Sequence, residues 1–248
     1  MPKTTNPVTQ KSGLSVNIIL TLIVVLIAVV VIGGVLWINR GGGGTQQQPG
    51  AAVPAEVLRK PDSSVLTEGG EGKVVVSEFL DYQCPACWQY YNGITKQVEK
   101  DYAGRITFVA RNFPLDMHPL ARPAAQAAEA AGMQGKFNEM YHALYDNYQG
   151  WAASPNGEVS SDQQKAAAAF DEFARQIGLD LDRFHQDMKS PQVNAKIDRD
   201  VKDGEAAGVS GTPTLFINGQ QFSPSGNAKT YQEVADQFRA QIDRELAK

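Results

Sequence analysis

The stretch "KVVVSEFLDYQCPACWQYY", Lys73 to Tyr91, decides how the rest of the chain is read. It opens on a β-branched run, Lys73 to Phe79, bounded upstream by "GGEG", and such a run reads as a short strand. The chain's two cysteines, Cys84 and Cys87, follow at once. After them "WQYYNGITKQVEKDYAG" predicts a helix ended by Gly104, and "RITFVARNF", Arg105 to Phe113, predicts a second strand. The cysteines therefore stand at a strand-to-helix junction, with Cys84 expected at the helix N-terminus.

Toward the C-terminus, helix signals dominate from about residue 115 to 207. "SDQQKAAAAFDEFARQIG" carries a capping box from Ser161 to Gln164 and a terminating Gly178. Ser190 reads as an N-cap, Pro191 as the first helical residue and Gly208 as the residue just past the end. The β pattern then returns: "TPTLFINGQQF" predicts a strand at Thr214 to Ile217, an Asn218-Gly219 hairpin turn and a strand to Phe222. An amphipathic helix from Tyr231 to Leu246 closes the chain. The predicted class is α/β: this is the element order of the thioredoxin fold, with a helical domain inserted at about 115–207.

Toward the N-terminus, "VNIILTLIVVLIAVVVIGGVLWI", Val16 to Ile38, is nearly free of polar residues and as a helix would span about 34 Å. A bilayer anchor is expected, since a cleaved signal peptide has an apolar region of only about 7–15 residues. Lys3 and Lys11 precede the run and Arg40 alone follows it closely, which favours an N-terminus inside the cell, a cytoplasmic tail at 1–15 and a single-pass protein with its folded part outside. Residues 39–71 are rich in Gly, Pro, Gln and Ala and read as a flexible linker, so the folded domain is expected over 72–248.

Composition removes some functions. The 23 basic and 27 acidic residues are spread along the chain, with a net charge of -4, so there is no concentrated positive field to hold nucleic acid. Two cysteines at i and i+3 could be half a zinc site, a haem attachment or a redox couple. Zinc would need a second pair, whereas the chain offers only the scattered His118, His142 and His185. Haem attachment would need a histidine where Trp88 stands. A redox dithiol remains, with no metal site. At a helix N-terminus the Cys84 thiolate is favoured, Pro85 opens the helix without wasting a donor, and Cys87 lies one turn on along the same side. Cys84 is then the exposed nucleophile and Cys87 the thiol that attacks it to release a bound partner.

The segment from Lys73 to about Leu246 resembles the DsbA family of thiol-disulfide oxidoreductases, in particular its membrane-anchored bacterial forms. The matching motifs are "FLDYQCPAC", "RNFPLDMHPLARPAAQAAEAAG", "KFNEMYHALYDN" and "GVSGTPTLFINGQ", in order and at compatible spacing. The resemblance implies a thioredoxin fold with a helical insertion, no cofactor, and a cis Pro213 facing the cysteines with the Thr212 backbone free to pair with an extended substrate. Read from the residues alone, "SGTP" is better explained by a turn before a strand, a reading that the resemblance reverses. Pro85 and Ala86, between the cysteines, are expected to face the substrate; the best-known oxidants of the family carry Pro-His there. Glu78, six residues before Cys84, is either a buried acid able to take the Cys87 proton or a strand-end acid reaching solvent. Asp81 is expected to be exposed. His118 and His142 are expected to be structural, and Phe79, Tyr82, Trp88 and Tyr90 mostly core.

These readings describe a membrane-tethered, extracytoplasmic enzyme that exchanges its disulfide with cysteines of exported proteins, most simply as an oxidant. The resemblance implies reoxidation by a quinone-linked membrane partner of the DsbB or vitamin K epoxide reductase type. The alternatives are a reductase or isomerase on the same fold, or a non-catalytic module that holds metal or polypeptide.

Overall fold

The computed structural model describes residues 52–70, 74–226 and 228–248. The tail at 1–15 and the apolar run at 16–38 lie outside the described residues. Among the described residues no helix is long and apolar enough to cross a membrane.

Five strands, β1 (Ser64–Thr67), β2 (Val74–Leu80), β3 (Ile106–Asn112), β4 (Thr214–Ile217) and β5 (Gln220–Gln221), form one sheet in the order β1-β3-β2-β4-β5. β2 and β3 are parallel, which the helical crossover between them allows, and the other pairs are antiparallel. Leu80 is in register with Asn112, and Phe79 with Thr214. The ends of β2 and β3 and the start of β4 thus share one edge of the sheet, and the segments that leave or enter there converge.

Among the described residues ten helices surround the sheet: α1 (Ala55–Leu58), α2 (Pro85–Tyr90), α3 (Lys96–Asp101), α4 (Ala121–Gly132), α5 (Phe137–Asp146), α6 (Tyr148–Trp151), α7 (Gln163–Gln176), α8 (Leu181–Met188), α9 (Pro191–Ala206) and α10 (Tyr231–Leu246). The helical block expected between the second and third predicted strands is α4 to α9. Strand alternation divides the core. Val74, Val76 and Leu80 face the larger cluster, under α2, α5 and α10, whereas Phe79 points to the other face and meets Phe113 and Phe216 edge-on at 6.2 and 6.0 Å.

Four expectations change. The linker expected over 39–71 is folded chain from Val53 onward: Val53 and Leu58 are buried, the Val53 N–H donates to Gly219 O at 2.8 Å, and β1 pairs with β3. A four-residue strand among Gly, Pro and Glu residues has too short a period to declare itself. The helix after the cysteines is broken by a π turn, Tyr91–Thr95, between α2 and α3. Gly93 lies in that turn, where a Cβ would come 3.1 Å from Tyr231 Cβ, so α10 crosses closely there. The cap of α7 is Asp162, whose side chain accepts from the Lys165 N–H, one residue beyond Ser161. The hairpin's second strand ends at Gln221, although the Phe222 N–H still donates to Leu215 O. Elsewhere the signals hold: Ser190 caps α9 ahead of Pro191, and Gly104, Gly178 and Gly208 end their helices at positive φ.

Candidate active site

Cys84 is the N-cap of α2, with extended backbone (φ -67°, ψ 123°), and Pro85 is the first helical residue. Both cysteines are free thiols. Cys84, expected to be exposed, keeps only 6% of its surface in contact with solvent, against 1% for Cys87, because the Thr212–Pro213 segment covers it. The Cys84 thiol donates to Thr212 O at 3.5 Å, and the Thr212–Pro213 peptide bond is cis. Pro85 and Ala86 are exposed, and Thr212 and Pro213 half-buried. The structure thus brings together Cys84, Cys87, Pro85, Ala86, Thr212 and Pro213.

The two thiols are unequal. Donation from the Cys87 thiol, opposed by burial and helped by the Cys87 and Ala86 amides and by Thr212, brings the Cys84 thiol down to about 6. No capping hydrogen bond closes on the neutral thiol, so those amides act on the anion. Burial pushes Cys87 well up, and the neighbouring Cys84 adds to it. At neutral pH the pair therefore holds one thiolate, on Cys84, with Cys87 protonated beneath it.

Glu78 is the buried acid of the two alternatives, 2% exposed. It falls on the same face of β2 as Val76 and Leu80, which turns it under α2, and its Oε2 has no hydrogen-bond partner among the described residues. Burial raises its carboxyl to about 8. Its charge acts on Cys87, which it pushes further up.

The turn between β2 and α2 holds residues that sequence reasoning left out. Asp81, expected to be exposed, is buried because three donors converge on it: the Gln83 N–H at 2.7 Å, the Leu115 N–H at 2.9 Å and His118 Nδ1 at 2.6 Å. Gln83 is fully buried and ties the turn to the helical block, donating to Ser160 O and Ala152 O and accepting from the Leu120 N–H. The Tyr148 hydroxyl donates to Gln83 O, and the Tyr148 ring stacks on Trp88 at 5.1 Å. Nothing in a lone Gln or Asp signals such convergence, which depends on β3 ending beside β2. Phe79 and Tyr82 are fully buried, and Trp88 and Tyr90 pack half-buried against the core. His142 is held by Tyr91 and Glu99, and His185 by Asp171. Among the described residues no group of three His, Cys, Asp or Glu side chains is placed to hold a metal ion.

A family model described as thioredoxin matches residues 70–243. The chain is similar to the Na(+)/H(+) antiporter NhaA 1 of Salinispora arenicola, 34% identical over 192 residues, which are 75% of this chain and 27% of that protein. It spans about a quarter of the length of the curated relatives it matches. Among solved structures, a thioredoxin-like oxidoreductase from Silicibacter pomeroyi superposes with a TM-score of 0.60 at 25% identity, covering 79% of this chain and 99% of that one. The thiol-disulfide exchange protein alpha-DsbA2 of Wolbachia pipientis shares the fold, with a TM-score of 0.57 at 23% identity over 76% of this chain and 90% of its own.

Proposed function

For a chain that belongs to the thioredoxin family, we propose the role of a DsbA-like thiol-disulfide oxidoreductase, a membrane-tethered oxidant of cysteine-containing exported proteins. The observation that carries the direction is the Cys84 thiol at about 6: a dithiol whose first sulfur is stable as a thiolate favours its own reduced form and so tends to oxidise others.

In this reading a substrate thiolate, lying against the Thr212 backbone, attacks Cys84 Sγ of the enzyme disulfide. The Cys84–Cys87 bond breaks and Cys87 leaves with the electron pair. Glu78, held as the neutral acid up to about pH 8, supplies the proton Cys87 takes up. A second substrate thiolate then attacks the substrate sulfur of the mixed disulfide, and Cys84 departs as thiolate. The substrate loses two electrons and closes a disulfide; the enzyme gains them as a dithiol. Exposed Pro85 and Ala86 border the path of approach. Reoxidation reverses the electron flow, toward a quinone-linked membrane partner of the DsbB or vitamin K epoxide reductase type.

The apolar run at 16–38 supports tethering, and Lys3 and Lys11 before it support an extracytoplasmic domain. Equilibration with glutathione buffers tests the direction. A potential above that of a reductant, toward the about -120 mV of a strong oxidant, is expected, and one near about -270 mV would make the protein a reductant.

A further inference from the structure

Neither residue between the cysteines, Pro85 or Ala86, carries a charge or a side-chain donor, so any charged partner of Cys84 must come from elsewhere. The loop from β3 to α4 supplies one. His118 lies on it with its ring almost wholly buried, its Nδ1 at 2.6 Å from Asp81 Oδ2. Two stitches fix this loop to the turn that carries Cys84: Leu115 N–H to Asp81 Oδ2 at 2.9 Å, and Leu120 N–H to Gln83 Oε1 at 2.7 Å. Asp81 in turn accepts the Cys84 N–H on its backbone oxygen at 3.1 Å. The imidazole and the nucleophilic sulfur are thus held to one short segment from two sides.

We propose that His118, held as the imidazolium by Asp81, is a positioning residue for Cys84, setting a positive charge within electrostatic reach of its sulfur and thereby strengthening the enzyme as an oxidant. The Asp81 carboxylate offsets part of that charge at the sulfur. Its two oxygens are saturated by two backbone amides and the imidazole, whereas His118 Nε2 makes no hydrogen bond among the described residues. The Asp81 hydrogen bond pushes the His118 imidazole up against the opposing effect of burial, and the charges of Asp81 and Cys84 push it further. From α6, Tyr148 also feels Cys84 and Asp81, and burial keeps its phenol neutral. From β2, Glu78 acts on Cys87. Cys84 and Asp81 are therefore the two anions that His118 answers.

The inference rests on Cys84 being the attacked sulfur, and its test reads titration rather than turnover. In the full chain, reduced and purified in detergent, the pH dependence of iodoacetamide alkylation at Cys84 gives its midpoint. His118→Gln, which can still donate to Asp81, should raise that midpoint by on the order of one unit, a tenfold loss of thiolate below it. A folded His118→Gln chain with an unchanged midpoint overturns the proposal. A second measurement needs no change at His118. Coupling is reciprocal, so in Cys84→Ser the His118 ring-proton midpoint should fall by the same amount, and an unmoved midpoint overturns the proposal even if His118→Gln fails to fold. Disulfide exchange with a dithiol peptide is assayed separately. Coupled midpoints without exchange would support His118 and end the proposed function; exchange with uncoupled midpoints would do the reverse.

Discussion

A buried carboxyl group whose Oε2 has no hydrogen-bond partner among the described residues, as in Glu78, is carried by the fold as a neutral acid and opposes the fold once it must ionise. In the unfolded chain it ionises from 4.5; in the fold, only from about 8. Between those values the native state binds the extra proton, so stability falls as pH rises, by about 1.4 kcal/mol per pH unit, and the loss is complete above the folded value. Cys84 acts with the opposite sign. Lowered from 9.0 to about 6, it adds stability to the reduced protein as pH climbs through that window and loses it as pH falls through 6. Comparing Glu78→Gln with its parent isolates the carboxyl. The variant should gain on the parent in melting temperature from pH 5 to 8 and hold that gain above, and parallel profiles would mean Glu78 is hydrated. The same change should slow the exchange steps that protonate or deprotonate Cys87 by on the order of 100-fold below pH 8, read by stopped-flow kinetics. The cysteines differ in the same local way. Cys84→Ser should abolish turnover, whereas Cys87→Ser should leave Cys84 able to accumulate mixed disulfides. Equal trapping by both variants on non-reducing gels would remove Cys84 from its role.

At the scale of elements, helix propensity and packing pull oppositely at Gly204, inside α9. Alanine there should gain about 1 kcal/mol of intrinsic helicity. Its Cβ, however, would lie 2.7 Å from Phe113 Cδ2 and 3.0 Å from Phe79 Cδ1, rings locked between α9 and the sheet. Overpacking of that kind costs about 1–3 kcal/mol, so packing wins. Gly204→Ala should lower the melting temperature by a few degrees, and a higher one would mean the Phe113 ring swings clear. This balance also explains what was legible beforehand. The long periodic elements, such as α9 with Ser190 and Pro191 at its head, carry their own caps and stops within the sequence. So did the dithiol at the strand-to-helix junction, because the signal was local and covered a single stretch. β1, the π turn around Gly93 and the acceptor role of Asp81 depend on partners 41 or more residues away in β3, 138 away in Tyr231, and 34 or more away in Leu115 and His118, which no local pattern announces. Arg111 is the extreme case: a fully buried guanidinium on β3 that is ordinary in sequence and is satisfied by Asp200 and Asp203 of α9 and by Val57 O.

On the scale of the whole molecule, two boundaries are at issue, one at the membrane and one at the fold. The apolar run at 16–38 leads us to expect the full chain in the membrane fraction, and protease added outside intact cells to release the dithiol domain; protection until lysis would place that domain in the cytoplasm and favour a reductase. The second boundary follows from packing. A chain starting at residue 72, where composition suggested the domain begins, would lose β1 and leave the β3 edge without its partner. It would uncover the face where Val53 and Leu58 pack with Phe79, Phe216 and Val209. It would also take the Val57 carbonyl from Arg111 Nη1, a contact of 2.6 Å, and leave a buried cation short of an acceptor. A chain starting at residue 52 keeps all three. We expect the shorter chain to melt lower by on the order of 10 °C, since a loss of several kcal/mol shifts a domain of this size by about 2–4 °C for each. Among the described residues no hydrogen bond joins the removed strand or α1 to the dithiol, so the Cys84 alkylation midpoint should agree between the two chains at a temperature where both are folded. Equal melting temperatures would show that 52–71 only lies against the domain, whereas a shifted midpoint would show that the sheet edge, and not the turn at Asp81, sets the geometry of the cysteines.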